Sequence, residues 1–440
     1  MKSRRPPQSG KSGSAVLPYL HFIHERSTIR FGSQKLFLLL ALLLLPFTSV
    51  ERSSAASSPL PEARPDPYES RRFEPPSPLR FPVLPSNDKK GDENPRLRRL
   101  QIEEFKRVLR LSEEIPEDLS QPLKEYNEAR FEKAIEEIQR LPPGKKRSAA
   151  DLLYGNALLL LGEKEKAVEA YQQAFRRAAV PEERAAAMAN FGVVFSTRGA
   201  WKEAIDWIER ALKIDRAVKD WTAQGIDLSL LGAFYLELGD AAKASAAHIE
   251  ALEIAETVPI PWLEARQSAV LGNLYYQDGI LNTAQEYDLK ALRLYRTLGN
   301  PMGEAVSLTG LSFIHKDRKE LDRALAYQSE ALALYEKLND PPAEATALIN
   351  LGLIYQDRGE IQTAIRLGER ALRIQEGFGN LNGMAHAEGT LGTFYQTKGD
   401  LEEAVRHLEK ARELFQKAGA SQQIHIVDLK IQMLHDQMSN

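Results

Sequence analysis

A chain that repeats itself at a fixed interval folds as an array, because one short unit cannot bury its own apolar face and must stack on its neighbours. This chain repeats from about residue 120 onward. Leu271-Gly-Asn-Leu-Tyr275 leads to Gly279, Ala284 and Ala291-Leu292. Leu351-Gly-Leu-Ile-Tyr355 leads to Gly359, Ala364 and Ala371-Leu372, and Leu391-Gly-Thr-Phe-Tyr395 leads to Gly399, Ala404 and Ala411. One alanine keeps the register throughout: Ala134, Ala167, Ala204, Ala244, Ala284, Ala324, Ala364 and Ala404, at spacings of 33, 37 and then 40 residues five times over.

Each unit reads as two helices. Apolar positions in Ala347-Leu-Ile-Asn-Leu-Gly-Leu-Ile-Tyr355 fall three and four apart, which predicts one buried stripe. Gly359 breaks the chain into a turn, and a second amphipathic run follows from Ala364 to Gln375. Small residues recur where two helices must cross closely, at Gly232/Ala244, Gly272/Ala284, Gly352/Ala364 and Gly392/Ala404. Tyr235, Tyr275, Tyr355 and Tyr395 are expected to fill the space between helices. Gly299-Asn300-Pro301, Asn339-Asp340-Pro341-Pro342 and Gly379-Asn380 close the units as loops.

This pattern, Leu-Gly-x-x-Tyr, a glycine, then Ala and Ala-Leu in register, resembles the tetratricopeptide repeat over roughly residues 115–418. The family's usual period is about 34 residues. The longer period here resembles the variants in kinesin light chains, spindle-orientation adaptors and many bacterial proteins. The resemblance implies an all-α fold: a right-handed superhelical α-solenoid of about eight helix pairs. Residues 419–440, with Ile424, Ile426, Leu429, Ile431 and Leu434, are expected to form a capping helix over the last repeat. Two units depart from the pattern. Ser312, His315 and Lys319 replace Gly, Tyr and Gly in one, leaving its turn in question. Pro122 replaces the small residue in the first, which suggests a degenerate cap.

The amino-terminal part is different material. Residues 1–56 carry eight Lys/Arg and two Glu, so the near-neutral total of −3 is +6 set against −9 in the remaining body. A basic flank followed by the twelve-residue apolar run Leu36–Phe47 reads as a signal peptide, with Ser54 and Ala56 before a cut, or as an uncleaved signal anchor. The expected location is therefore an exported one, the periplasm or an equivalent lumen. The anchor alternative would limit membrane contact to this segment. Ten of the 24 prolines lie between Pro59 and Pro95, which predicts a disordered, mostly extended linker over 57–100. The expected solenoid spans 101–420 and the capping helix 421–440. With no cysteine, disulfides, thiolate chemistry and lipid attachment through a cysteine are excluded.

No catalytic pattern survives inspection. Gly10-Lys11-Ser12 has Arg5 where a phosphate loop needs glycine, and Gly377-Phe-Gly379 follows a helix rather than a strand. The histidines form no His-x-x-x-His pair, and His315 reads as an interior position. No cofactor, metal or enzymatic activity is expected. Nor is nucleic-acid binding, since Lys145-Lys146-Arg147 is a short cluster on an acidic body.

The functional surface is then the groove, which in the family is lined by the first helix of each pair. Alignment to the family's groove positions selects Asn156, Asn190, Arg266, Asn273, Tyr276, Gln277, Thr309, Phe313, Lys316, Asp317, Ile349, Asn350, Leu353, Gln356, Asp357, His386, Thr393 and Gln396. Asparagine amides can hydrogen-bond a peptide backbone whatever its sequence. Asn156 and Asn190 match the paired amides with which some family members clamp a terminal carboxylate. The cationic positions of that clamp are Leu152, Ile226 and Leu230 here, so that mode is disfavoured. The resemblance implies a non-enzymatic scaffold or adaptor that binds a protein or peptide partner in its concave groove. The alternative is the recognition arm of a complex whose catalytic activity lies on a partner chain.

Overall fold

The computed structural model describes residues 106, 109–111, 116–142 and 147–439. The expected signal segment and proline-rich linker lie outside them. Within them, local chemistry starts and stops the helices. Pro181, Pro261, Pro301 and Pro341 each open a helix, where a missing N–H costs nothing. The side chains of Asp220, Asp240, Asn300, Asp340 and Asn380 each accept a hydrogen bond from the backbone N–H three residues on. Gly279, Gly359 and Gly399 hold the turns inside their pairs at φ of +74°, +84° and +87°, backbone that strains a residue bearing a Cβ.

The described residues form seventeen α-helices, a short 3-10 helix at Glu117–Leu119 and no strand. They pair in chain order: α1 Ser120–Asn127 with α2 Phe131–Arg140, α3 Ser148–Leu160 with α4 Lys164–Arg177, α5 Pro181–Ser196 with α6 Trp201–Val218, and α7 Trp221–Glu237 with α8 Ala241–Thr257. The series continues with α9 Pro261–Gln277 and α10 Leu281–Thr297, α11 Pro301–Asp317 and α12 Leu321–Leu338, α13 Pro341–Asp357 and α14 Ile361–Phe378, and α15 Leu381–Lys398 and α16 Leu401–Lys417. α17, Ser421–Ser439, packs on α16 as the terminal helix. The fold is the expected all-α solenoid of eight helix pairs and a cap.

The eight register alanines are all fully buried. Opposite them, space for a side chain is missing. A Cβ on Gly192 would lie 3.0 Å from the Ala204 carbonyl oxygen, and one on Gly392 would lie 3.1 Å from that of Ala404. In the departing unit the serine does more than stay small: Ser312 Oγ donates to the Ala324 carbonyl at 3.0 Å. Its turn forms as well, with Lys319 taking the left-handed backbone, φ +62°, that glycine takes elsewhere. Pro122 is accommodated in the first turn of α1, which has only eight residues.

The single buried stripe expected of the first helices is corrected. In α13 every residue from Ala347 to Ile354 is buried. A first helix is enclosed by its own partner and by helices of both neighbouring pairs, so almost no side of it meets water. The second helices keep the amphipathic pattern: α14 buries Ala364, Ile365, Gly368, Ala371 and Gln375. Tyr235, Tyr275, Tyr355 and Tyr395 are half-buried, with Tyr275 stacked on Tyr287 at 5.5 Å and Tyr395 on His407 at 5.1 Å. His315, in the corresponding place, is buried, stacks on Tyr327 at 5.3 Å and bonds Glu320 through Nδ1 at 2.8 Å.

First helices of successive pairs also touch one another: α1 with α3, α3 with α5, α7 with α9, α9 with α11 and α13 with α15. Second helices are linked instead by long ion pairs. Arg216 reaches Glu250 at 2.6 Å, Arg296 reaches Glu330 at 2.5 Å, and Arg370 reaches Glu336 at 2.8 Å. Close contact on one side and long side-chain bridges on the other put the first helices on the inner face.

Candidate inner-face binding site

The inner face is best defined where three first helices converge. Asn156 on α3 and Asn190 on α5 are both fully buried, and they hold a piece of the chain's own backbone. Arg110 N–H donates to Asn190 Oδ1 at 2.9 Å. The Arg110 carbonyl accepts from Asn190 Nδ2 at 2.9 Å and from Asn156 Nδ2 at 3.3 Å. Tyr171 on α4 donates to Asn156 Oδ1 at 2.8 Å, and Asn190 Nδ2 lies 3.0 Å from the same oxygen, so both amides are oriented from behind.

The Arg110 side chain continues into an acidic pocket. Its guanidinium bonds both oxygens of Asp215, Nη1 to Oδ2 at 2.5 Å and Nη2 to Oδ1 at 2.9 Å. Asp227 on α7 lies 3.5 Å away and Asp220, which caps α7, 3.8 Å away. Asp215 and Asp227 have no exposed surface and Arg110 only 7%. Burial pushes the carboxyls of Asp215 and Asp227 above the usual carboxylate range, and the Arg110 charge pulls against that. Leu109 is buried in the core of the first repeats, and Leu111 packs against the same core.

A second set of predicted residues comes together further along. Tyr276 on α9 stacks on Phe313 of α11, centroids 6.1 Å apart, and donates to Asp317 Oδ2 at 2.9 Å. Lys316 Nζ lies 3.6 Å from the other oxygen of Asp317. Gln277 Nε2 donates to Asn273 Oδ1 at 2.7 Å. Lys319 pairs with Asp357 at 3.0 Å, and Gln356 bonds Thr397. Gln396 and Thr393 are half-buried on α15.

The structure corrects several expectations. Asn156 and Asn190 are not open to a partner, because Arg110 occupies them. Arg266, Phe313, Lys316 and Asn350 are 2–7% exposed, so they back the surface rather than present it. His386 is an interior side chain: it meets Phe415 edge-on at 5.0 Å, neither ring nitrogen has a hydrogen-bond partner, and burial pushes it down to about 3. It stands at the same step of the 40-residue repeat as Arg266, Val306 and Thr346, and alignment alone does not show which way it points.

Sequence reasoning missed Arg110, Asp215, Asp220 and Asp227. One signal was present. Asp227 stands alone among the apolar residues of α7, between Ile226 and Leu228, where an ionisable group demands a partner. The disfavoured carboxylate clamp has the wrong sign here, since the amide pair stands beside acids and faces a cation. Among the described residues, no group of three or more His, Asp or Glu side chains is arranged to hold a metal ion, and no helix is long and apolar enough to cross a membrane.

A solenoid whose inner face holds main chain through side-chain amides is a helical-repeat binding scaffold. Tetratricopeptide repeat profiles match residues 146–217, 183–257 and 303–377, and a further one matches 389–417. The chain belongs to the tetratricopeptide repeat superfamily. Among solved structures it is similar to the apo form of RapI, at 18% identity and a TM-score of 0.51 over 60% of this chain and 96% of that one. It is also similar to a signal transduction ATPase with numerous domains and a tetratricopeptide repeat sensor, from Pyrococcus horikoshii, at 17% identity and a TM-score of 0.52 over 74% of this chain and 47% of that one. A Rap protein complexed with competence and sporulation factor gives 12% identity and a TM-score of 0.50 over 73% of this chain and 97% of that one. At these identities the likeness carries the fold alone. No curated protein matches the chain.

Proposed function

We propose that this protein is a non-enzymatic adaptor that takes an extended segment of a partner protein on the face lined by its first helices. The observation that supports this is the hold of Asn156 and Asn190 on the N–H and C=O of Arg110, since groups that bind one stretch of main chain will bind another. Rigid, preformed contacts of this kind lower the ordering cost of binding. We further propose that the protein works after export, with residues 57–100 as a tether between the solenoid and whatever holds the amino terminus.

A library of extended peptides displayed on an array tests the groove reading. Binding should be selective among sequences, and Asn273→Ala combined with Gln277→Ala should weaken it at least about tenfold, roughly 1.4 kcal/mol, with unchanged helicity. An array without binders, or binders indifferent to that double substitution, would overturn the assignment of this face.

A further inference from the structure

One segment of the described structure belongs to no helix and yet is buried on the inner face. Residues 109–111 precede the first helix pair, and the partners that hold Arg110 lie far along the chain: Asn156, Asn190, Asp215, Asp220 and Asp227. These partners come from three successive pairs. Asn156, Asn190 and Asp227 are on the first helices α3, α5 and α7, Asp220 caps α7, and Asp215 is in the last turn of α6. The solenoid treats this segment as it would treat a second chain.

The recognition has two separable parts. The two amides read only the main chain, so they are indifferent to sequence. The carboxylates read the side chain, and they are built for a guanidinium. Asp215 offers both oxygens side by side, the arrangement that matches the planar fork of arginine and that a lysine ammonium cannot match. Without that cation, Asp215 and Asp227, both without exposed surface, would be left beside Asp220 with no charge to offset them. The flanking Leu109 and Leu111 add an apolar grip on either side of the arginine.

We propose that Leu109-Arg110-Leu111 is a resident ligand of the inner face, and that the pocket of Asn156, Asn190, Asp215, Asp220 and Asp227 recognises an arginine-bearing extended segment of a partner protein, which must displace it. This rests on the adaptor reading above and names the chemistry of the partner. It also sets a threshold. A segment tethered to its own site is present at an effective concentration on the order of millimolar, so a partner must bind the vacant site well below that to compete. The own segment thus screens out weak, generic basic peptides.

The test uses the full chain and a fluorescently labelled peptide copying residues 104–112, followed by anisotropy. The Arg110→Ala chain should bind this peptide at least about tenfold more tightly than wild type does, because its pocket is no longer filled in cis. Binding should fall at least tenfold when the peptide carries alanine in place of its second arginine, and again when the Arg110→Ala chain also carries Asn190→Ala. If Arg110→Ala loses helicity by circular dichroism, Arg110→Lys takes its place. It keeps a cation but not the bidentate fork, and the same gain is expected. Equal peptide binding by wild type and variant, or none by a folded variant, would show that Arg110 is a fixed part of the fold and overturn the proposal. A dimer dissociated by the peptide would reassign the occupant to a second copy of the chain and overturn the partner. This outcome is independent of the face tested at Asn273 and Gln277. Failure at Arg110 with binding retained there removes this inference alone, whereas failure at both removes the adaptor reading.

Discussion

At the scale of single residues, the interior of this solenoid holds several groups in the protonation state that water would not choose. His386 is pushed down to about 3 and His248 to about 4, both by burial. Each is neutral in the folded chain and takes up a proton near 6.5 when unfolded, so between those values the unfolded state binds more protons. Stability from these two groups is therefore full above pH 6.5 and is lost as pH falls toward 4 and then 3, with a slope of at most about 1.36 kcal/mol per pH unit for each. Asp227 and Asp288 act with the opposite sign, since burial pushes both up and their contribution is lost as pH rises above the ordinary carboxylate value. His386 has both ring nitrogens without a hydrogen-bond partner and meets Phe415 edge-on. His386→Leu should flatten the dependence of melting temperature on pH between 6.5 and 3 and stabilise the chain most at the acid end. A parallel curve for the variant would mean that the histidine is not buried as described.

At the scale of the element, the helix crossing is the unit that repeats. Ala284 is fully buried, and a Cβ on the facing Gly272 would stand 3.3 Å from its carbonyl oxygen and 2.5 Å from Asp288. Ala284→Leu should cost about 1–3 kcal/mol by overpacking, read as a lower thermal midpoint; unchanged melting would mean that the two helices do not cross there. The turn of the departing unit makes the reverse prediction. Lys319 holds left-handed backbone at φ +62°, which costs a side chain about 1–2 kcal/mol. Lys319→Gly should raise stability by about 1 kcal/mol, less whatever its exposed pair with Asp357 contributes. A lower midpoint would sink that reading. These elements were legible from spacing because a close crossing tolerates only small residues, and a small residue at a fixed interval shows in the sequence. The orientation of His386 was not legible. A first helix is surrounded on all sides, so its periodicity no longer says which side faces the groove. The capping helix shows the same limit: Val427 and Leu434 are buried against α16, while Leu429, one of the residues expected to seal the end, is 45% exposed.

At the scale of the whole molecule, the two faces of the array are held together differently. Inner helices meet directly, and outer helices are bridged by Arg216, Lys290, Arg296 and Arg370 to glutamates of neighbouring repeats. Such exposed pairs contribute about 0–1 kcal/mol each and are screened by salt. Raising sodium chloride from low to molar concentration should therefore move the melting temperature by only a few degrees and leave helicity unchanged. A large loss of structure would mean that the ladder, rather than apolar stacking, holds the repeats together. The core supports the first outcome, since it runs along the chain as a series of adjoining clusters rather than one centre.

The amino-acid sequence by itself determined the repeat, its register, the helix starts and turns, and the all-α class, because each depends on residues a few positions apart. The amides at Asn156 and Asn190 were legible for the same reason, as positions within a repeated unit. What those amides hold was decided only by the tertiary structure. Arg110 meets Asn190 80 positions away and Asp215 105 positions away, and nothing in local spacing links an arginine before the first repeat to a carboxylate in the third pair. Only the stacking of α3, α5 and α7 brings the amides and the acids to one place, and burial there turns three ordinary acidic residues into a pocket that requires a cation.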